Sequence, residues 1–557
     1  MIKSSAVAKK SAVIAVLSLI YTAICEVKIK RIPNQVICSS KVIWSTDNFQ
    51  EGLLVHRIEH LYCFPMLRHC SHSAVQFEPS QEAIDAGFDW QSESERAKAA
   101  GTIKAEKEYE IREGNPEPGT KLKWSRQSKL PDEEPYFPAP VLLTRKEVES
   151  NQNCPYQSLE NWIASRSSWY RHPDKENDPE GPVASLESWI KPQFESQEQI
   201  HSNKFDSDDL FFYLKDFYYP RGFKLIGGKL GLTLHYRHTV DELLNDRGCI
   251  GMTWKEAFFP IRYRECPDRA YMRQLNADDL LQACIQISMD GDGVAGTLML
   301  IVDFDLYGND ESIPYYCGRT NKKMRVSVVS TARYHPALDT LQKVSREHSW
   351  PASHCRRYIS KAWANEDVRM DEGDIWSSQA EYDEHQELRT PKAVSDWYES
   401  MPAWDPEKPL ERSLETFKSL ASIEVMAKKN PCTLENVWLA RVARRASHEL
   451  GHCFGFHHCA YYACLMQKST SIAEELRQAP YLCLVCGAKL ARLGPIHSKD
   501  EMFSLETERY EKMVAGLEGY LKLGDCHNFH AHRAFLKQIL FMRRNYDGQT
   551  HGWNLVP

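Results

Sequence analysis

Apolar residues recur at helical spacing in the stretch that leads up to residue 450. Leu439, Val442, Ala446 and Leu450 follow one another at steps of three or four residues, so they share one face of a predicted helix. The positions between them face the other way and are free to line a cleft.

Two stretches upstream of this helix have the pattern of β-strands. Residues 296–307 begin with a continuous apolar run, which is typical of a strand buried on both faces. Residues 324–333 follow, and there Val326 and Val328 alternate with Ser327. The chain therefore places strands before the predicted helix.

Long polar stretches separate the predicted elements. Residues 77–203 are rich in Glu, Ser, Lys and Pro, and residues 347–419 are rich in charged residues, Trp and Pro. Both compositions predict partly disordered regions, because few apolar side chains are available to bury. Amphipathic patterns predict two further helices near the C-terminus, over 503–523 and 531–543.

Composition and charge exclude some classes of protein. A chain of 557 residues is longer than one hydrophobic core usually serves, so two or three units are expected. The net charge of −7 gives no basic face of the kind that binds nucleic acid. Arg441, Arg444 and Arg445 form a small basic patch, which is predicted to be a solvated helix face.

One run, HELGHCFGFHHC, has the spacing of a catalytic metal site. His448 and His452 lie four apart on one helix face, where both rings can bind one zinc ion, and Glu449 can reach a water on that ion. Gly455 permits a sharp turn that returns a third histidine, His458. Three nitrogen ligands leave one tetrahedral position open, as in catalytic rather than structural zinc sites.

Four cysteines follow in two pairs, Cys459 with Cys464 and Cys483 with Cys486. Two pairs with short internal spacing are a strong signal for a closed zinc site of structural role. The chain has seventeen cysteines, and the other thirteen show no framework spacing. That distribution indicates reduced thiols in a cytoplasmic or nuclear protein.

From His448 to Cys486 the sequence resembles the archaemetzincin family of metallopeptidases. The family pattern is H-E-x-x-H-x-x-G-x-x-H-C, then C-x-M, then C-x-x-C, and each part is present here, with Met466 as the methionine. The resemblance is sharp over 441–486 and looser over 206–345. It implies two zinc ions per chain, a catalytic one on the histidines and a second one on the cysteines, with Met466 as a Met-turn beneath the histidines.

The resemblance also implies an α+β fold with an α/β-type metzincin core. A mixed twisted sheet would pack on the active-site helix, and the four-cysteine site would lie C-terminal to that helix. In metzincins the strand upstream of the helix is an antiparallel edge that borders the cleft, where a peptide can pair with it. We therefore expect Val326–Thr331 to bind substrate, with Val326, Val328 and Ser330 as candidate residues. An ordinary core strand is the alternative for this stretch.

These observations divide the chain into parts. A catalytic domain is expected over 206–545, with an insertion at 346–430 and the four-cysteine site at 459–486. A polar, partly disordered region precedes it at 66–205, and a C-terminal tail follows at 546–557.

The first 65 residues allow two interpretations. An apolar run over 11–24 follows several lysines, which is the form of a signal peptide and implies secretion. Residues 66–72 instead resemble the start of fungal archaemetzincin-like chains, so that 1–65 would be a mis-called extension. The second interpretation leaves a cytoplasmic or nuclear protein.

The sequence thus predicts a zinc metallopeptidase, an aminopeptidase or endopeptidase that acts as a monomer on peptides or proteins. Glu449 would be the general base for a zinc-activated water. No nucleic-acid or membrane partner is expected. The alternative from another class is a non-catalytic zinc module, which presents a surface to a partner and keeps a vestigial peptidase site. The presence of Glu449 beside all three histidines favours the enzyme.

Overall fold

The chain divides into two units, residues 1–69 and residues 70–557. This computed structural model describes residues 70, 72, 74–101, 133–166, 205–221, 257–289, 297–371, 408–427, 434–493 and 499–545, and the strands within 31–36, 103–126, 184–188 and 223–254. The first unit is described only at one antiparallel pair, so the account below concerns the second unit. The signal-like run, the middle of the predicted insertion and the predicted C-terminal tail lie outside the described residues.

The described helices are, in chain order, α1 Gln81–Asp85, α2 Glu93–Ala99, α3 Arg145–Gln152, α4 Leu159–Arg166, α5 Ser207–Phe217, α6 Ala277–Met289, α7 Arg356–Asp371, α8 Pro409–Ala427, α9 Leu434–Cys453, α10 Ile472–Glu475, α11 Leu484–Ala491, α12 Lys499–Leu523 and α13 His527–Arg544. None of these helices is long and apolar enough to cross a membrane.

The described strands are β1 Arg31–Ile32, β2 Gln35–Val36, β3 Ile103–Lys107, β4 Glu110–Arg112, β5 Asn115–Glu117, β6 Leu122–Arg126, β7 Ala184–Ser188, β8 Phe223–Ile226, β9 Thr233–Tyr236, β10 Cys249–Trp254, β11 Ala257–Glu265, β12 Arg273–Asn276, β13 Thr297–Val302, β14 Asp305–Tyr307, β15 Gly318–Asn321 and β16 Val326–Ser330. The mixture of strands and helices confirms an α+β protein.

Ten of these strands form two five-stranded sheets. The first has the order β15-β16-β13-β7-β8, and the second has the order β14-β12-β11-β10-β9. In the first sheet β13 pairs in parallel with both β16 and β7, while β15 pairs antiparallel with β16 at the edge. All six residues of β13 are buried, as its continuous apolar sequence predicts.

Helix α9 is buried on nearly all sides. Its apolar face, with Val442, Ala446 and Leu450, joins the main core. That core also receives Phe217 from α5 and Phe535 from α13. The polar face of α9 is buried as well, so every polar side chain on it needs a partner.

Parts of the polar stretches contribute to the same core. Phe137 and Trp162, which precede the predicted catalytic domain, are buried in it. Leu410 and Leu414 of α8, which belong to the predicted insertion, are buried there too. The two stretches are polar on average, but each contains a few apolar side chains that pack into the core.

The prediction that Val326–Thr331 forms a sheet edge is wrong. Val326–Ser330 form β16, which lies between β13 and β15, so both sides of its backbone are paired. Val326, Val328 and Ser330 are fully buried, which agrees with the alternative of an ordinary core strand. The edge lies on β15 instead, because the chain forms one more antiparallel strand before β16.

Arg333 follows β16 and forms a buried ion pair with Asp305 of β14. Its Nη2 lies 2.6 Å from Asp305 Oδ2, and the Gln274 side chain donates to the same oxygen at 2.8 Å. Both partners of the pair are about fully buried. Asp305 is therefore a structural carboxylate. It links β14 of the second sheet to the segment that follows β16 of the first sheet.

We expect Arg333→Met to lower the free energy of unfolding by about 3–5 kcal/mol, because it leaves a carboxylate buried without its cation. Urea unfolding followed by tryptophan fluorescence measures the effect. Arg412→Met is the matched control, since Arg412 pairs with Glu415 on the surface at 2.6 Å and such pairs contribute about 0–1 kcal/mol. Equal losses in both variants would show that the buried pair has no special role.

Candidate metal centres

Three histidines converge where helix α9 ends. His448 and His452 are buried in its last turns, and the helix stops at Cys453. Gly455 then adopts a positive φ of 82°, and the Phe456 amide donates to the Gly451 carbonyl at 2.9 Å, which is the Schellman arrangement. This turn returns the chain to the helix.

The turn brings His458 beside the two helix histidines. One ring nitrogen from each of His448, His452 and His458 lies within 4.8 Å of the other two. The Nε2 atoms of His452 and His458 are 3.2 Å apart. Tetrahedral zinc with Zn–N bonds of about 2.0–2.1 Å places its nitrogens about 3.3 Å apart, so the spacing fits the metal.

Backbone carbonyls fix the orientation of both helix rings. His448 Nδ1 donates to the Leu465 carbonyl at 2.8 Å, and His452 Nδ1 donates to the Phe456 carbonyl at 2.6 Å. A histidine whose Nδ1–H is engaged in this way presents Nε2 to a metal. The two rings are therefore held as ligands by the loop that follows them.

Burial also keeps the rings in the form that binds metal. Burial and the charge of Lys322 lower the pKa of His452 to about 3. Burial and the neighbouring His452 lower the pKa of His458 to about 2. The rings are thus neutral at physiological pH, and the neutral imidazole is the metal-binding form. His457 does not belong to the converging set within the described residues.

Met466 lies against the helix turn that carries the histidines. It is fully buried, and a Cβ on Gly451 would clash with its sulfur. Glycine at 451 therefore lets the methionine approach the helix backbone. The role of Met466 as a Met-turn beneath the histidines stays a prediction.

The Glu449 carboxylate is held from two sides. Arg445, one helical turn earlier, places Nη2 at 2.7 Å from Glu449 Oε1. The Thr320 hydroxyl of β15 donates to Glu449 Oε2. Gly318 leaves room for this contact, since a Cβ there would lie 2.9 Å from Glu449 Cγ. The edge strand and the helix together position the carboxylate.

Two arginines and two glutamates balance one another in this region. Arg444 Nη1 lies 3.0 Å from Glu475 Oε1, and Arg445 Nη1 lies 3.6 Å from Glu475 Oε2. Burial alone would lower the pKa of Arg445, yet the charges of Glu449 and Glu475 outweigh burial and raise it. The two positive charges thus face two negative ones in a buried setting.

The prediction of a solvated basic patch is therefore wrong. Arg441 and Arg444 are buried, and Arg441 Nη1 lies 2.6 Å from Asp339. Arg445 is largely covered and pairs with Glu449. The helix face that carries these arginines was predicted to face solvent. It is covered instead, because neighbouring loops pack against it.

The four predicted cysteines form a second cluster. All are buried, and their sulfur atoms lie within 4.8 Å of one another. Cys459 and Cys483 are 3.6 Å apart at Sγ. The amides of Met466 and Cys483 each donate to Cys464 Sγ at 3.4 Å, which suits a thiolate. The geometry and the donor set fit a closed four-thiolate zinc site.

The two clusters share one loop. Cys459 directly follows His458, and the Cys459 amide donates to the Met466 carbonyl at 2.8 Å. Cys464 lies beside Leu465, whose carbonyl orients His448. The sulfur cluster and the histidine cluster are therefore connected through the backbone of one loop.

Sequence reasoning missed the partners of Glu449. Arg445 offered a signal, because opposite charges four residues apart on a helix often pair. Thr320, which contacts Glu449, and Glu475, which pairs with Arg444 and Arg445, offered no signal, since they come from a short strand and a one-turn helix distant in sequence. Tertiary packing alone brings them to the site.

Residues 419–492 match the model of peptidase family M54. Archaemetzincin-2 of Macaca fascicularis is 42% identical over 86 residues, which are 15% of this chain and 21% of that protein. Archaemetzincin of Pyrobaculum aerophilum is 40% identical over 53 residues, which are 10% of this chain and 34% of that protein. The crystal structure of archaemetzincin from Methanopyrus kandleri aligns with 57% of this chain and 98% of its own, at 15% identity and a TM-score of 0.25.

The chain thus spans about a fifth to a third of the length of these curated relatives. The matched stretch contains all three histidines, Glu449 and all four cysteines of the two clusters. Residues 419–492 are thus similar to these archaemetzincins and to peptidase family M54.

We expect Cys483→Ser to empty both metal centres. Loss of one thiolate opens the sulfur cluster and frees the loop that presents His458 and the Leu465 carbonyl. Elemental analysis and the melting temperature of the purified variant measure this. Cys154→Ser is the control, because Cys154 is buried but lies outside both clusters and donates to the Ser150 carbonyl. A Cys483→Ser protein that keeps the histidine-bound metal would disprove the coupling.

Proposed function

We propose that this chain, whose residues 419–492 match the model of peptidase family M54, is a zinc metallopeptidase of the archaemetzincin family that hydrolyses peptide bonds as an aminopeptidase or endopeptidase. The observation that carries the proposal is the position of Glu449 beside three histidines whose nitrogens converge, of which His448 and His452 are buried and His458 is half-buried. Zinc bound there would activate water at neutral pH and polarise the scissile carbonyl. Residues of the chain would supply the general base, the groups that position it and the edge that binds the substrate.

Glu449 is the proposed general base. Arg445 holds Oε1 by an ion pair, which fixes the carboxylate in place. Among the residues that the structure describes, Oε2 is held by the Thr320 hydroxyl, and a hydroxyl can both donate and accept. Oε2 is therefore the oxygen that can take a proton from water and later pass it to the leaving amine. Arg445 and Thr320 are positioning residues in this scheme.

Strand β15 is the proposed binding edge for the substrate. It ends the first sheet among the described strands, so one side of its backbone has no strand partner there. Its Thr320 contacts Glu449, which places the edge beside the reacting groups. An extended peptide that pairs with β15 as a further strand would pass the histidine cluster.

The sulfur cluster is proposed to hold a second zinc ion with a structural role. Four thiolates close the coordination sphere, so no position remains for water or substrate. Its contribution is the order of the loop from Cys459 to Cys486. The histidines and the cysteines together would bind two zinc ions per chain.

The competing proposal is a non-catalytic zinc module with a vestigial site. It predicts that the histidine cluster binds metal but that Glu449 has no catalytic role. The two proposals differ in the effect of changes at Glu449 and agree on the metal. Peptide hydrolysis by matched variants therefore separates them.

Glu449→Gln should reduce peptide hydrolysis by about 10²- to 10⁴-fold, the usual contribution of a general base, and should leave the metal content unchanged. Glutamine keeps the shape and can still contact Arg445 and Thr320, so the fold persists. Rates on a mixed peptide library, followed by mass spectrometry, test this. Glu415→Gln, on the surface of α8, is the control. Unchanged turnover in Glu449→Gln would show that Glu449 is not the general base.

His458→Ala should remove one zinc ion per chain and leave the sulfur cluster filled. Two nitrogens hold the ion less well than three, while no thiolate is changed. Zinc analysis combined with a count of titratable thiols measures both centres at once. His530→Ala is the control, because His530 pairs with Asp525 away from both clusters. Unaltered zinc content in His458→Ala would show that another residue is the third ligand.

A further inference from the structure

We propose a third metal site, separate from the two centres above, that is formed by Cys70, His72, His348 and Cys355 and binds zinc. One ligand atom from each of Cys70, His72 and His348 lies within 4.8 Å of the others. The sulfur of Cys355 lies 3.4 Å from that of Cys70. Two thiols and two imidazoles form the Cys₂His₂ ligand set of many structural zinc sites.

The sulfur separation fits a shared metal. Tetrahedral zinc with Zn–S bonds of about 2.3 Å places two sulfurs about 3.8 Å apart, whereas a disulfide bond is about 2.05 Å long. The 3.4 Å between Cys70 and Cys355 is close to the 3.6 Å between Cys459 and Cys483 in the four-cysteine cluster. The two pairs thus have the same kind of geometry.

The histidines supply an independent observation. His72 is buried, and its Nε2 has no hydrogen-bond partner among the described residues. The same is true of the buried Nε2 of His348, whose Nδ1 is 3.0 Å from the Ser345 hydroxyl. Buried polar atoms in folded proteins nearly always have partners, so two orphan nitrogens in one place need an explanation. A metal ion at the cluster provides it.

The surrounding structure holds the ligand rings and chains in place. The His348 ring stacks on Tyr358 at 3.8 Å between centroids, and His72 packs edge-on against His348 at 5.3 Å. The Cys70 amide donates to Glu347 at 3.3 Å. A ring held on one face and at one nitrogen is oriented as metal-binding histidines usually are.

Backbone pairing brings the two ligand segments together. Val75 forms an antiparallel bridge with Cys355, and the Gln76 amide donates to the His354 carbonyl at 2.7 Å. The Arg356 amide donates to the Ala74 carbonyl at 3.2 Å. Cys70 and Cys355 are 285 positions apart in the chain. A metal bound between them would close a long loop, which removes conformational freedom from the unfolded chain.

The ligand set indicates both the metal and the role. Thiolates and imidazoles favour zinc over magnesium and calcium, which prefer oxygen ligands. Four protein ligands fill a tetrahedral zinc ion and leave no position for a substrate. The site is therefore structural, and it fastens the segment that begins at Cys70 to the loop from His348 to Cys355.

That loop is itself bonded to the segment that supports the catalytic helix. The Trp350 amide donates to the Leu476 carbonyl at 2.9 Å, and the Ser353 hydroxyl donates to the Arg477 carbonyl at 2.8 Å. Glu475, next to these residues, pairs with Arg444 of α9. Loss of the third site is thus expected to lower the melting temperature, while the ligands of the other two centres remain in place.

Zinc content of the full-length protein tests the proposal. Wild type should hold three zinc ions per chain, and the double variant Cys70→Ser/Cys355→Ser should hold two. Cys526→Ser is the control and should hold three, because Cys526 is a buried N-cap outside all three clusters and serine suits that position. His72→Gln is measured in parallel, since it removes one ligand and keeps both thiols.

A cobalt-substituted sample adds a second readout. Thiolate-to-cobalt absorption should lose the contribution of two sulfurs in the double variant and of none in His458→Ala. A protein that carries both His458→Ala and His72→Gln should lose two zinc ions per chain, one for each substitution. This result would show that the third site and the histidine cluster bind separate ions. If the double variant loses its helical circular dichroism, His72→Gln decides the outcome. Unchanged zinc content in folded His72→Gln, or a Cys70–Cys355 disulfide found in the native protein by mass spectrometry, overturns the third site.

Discussion

The histidine cluster depends on how the chain satisfies the two ring nitrogens that do not face the metal. His448 and His452 are buried on α9, so each Nδ1–H must find an acceptor, and both acceptors are carbonyls of the loop after the helix. The loop can supply them only because Gly455 reverses the chain at a positive φ. One glycine thus determines the ring orientation, the return of His458 and the course of the loop toward Met466.

Charge balance is the second constraint on the site. Glu449 is buried, and a buried carboxylate without a partner is costly. Arg445 meets that need from the same helix, and Glu475 in turn offsets Arg444 and part of Arg445. The site therefore includes four charged side chains, two arginines and two glutamates, whose charges sum to zero. It follows that a change at Glu475, outside the catalytic cluster, would disturb the carboxylate through the arginines.

The sequence made some parts of this arrangement predictable and not others. Helical periodicity and the spacing of His448, His452 and His458 predict α9 and the convergence of the three histidines, because both rest on short-range geometry. The sheet edge was misplaced, since Gly318–Asn321 is short and polar and its strand character comes from pairing with β16. The buried arginines were assigned to solvent because a charge pattern does not show what packs against it. The cluster at Cys70 has no motif in the sequence, as its ligand segments meet only through long-range pairing.

Most residues of the candidate metal centres lie in segments with little regular secondary structure. Between the end of α9 at Cys453 and the start of α11 at Leu484, one short helix is the only regular element among the described residues. The ligand loop from His348 to Cys355 likewise consists of short 3-10 turns. Such segments form few repeating backbone hydrogen bonds and cost conformational entropy to order. Ligands drawn from both ends of an irregular segment offset that cost, because binding free energy becomes folding free energy. If the four-cysteine cluster and the proposed site at Cys70 each bind a metal ion, they would order these loops as strand pairing orders the sheets. The histidine cluster has three candidate ligands rather than four, so a metal ion bound there would keep one open coordination position.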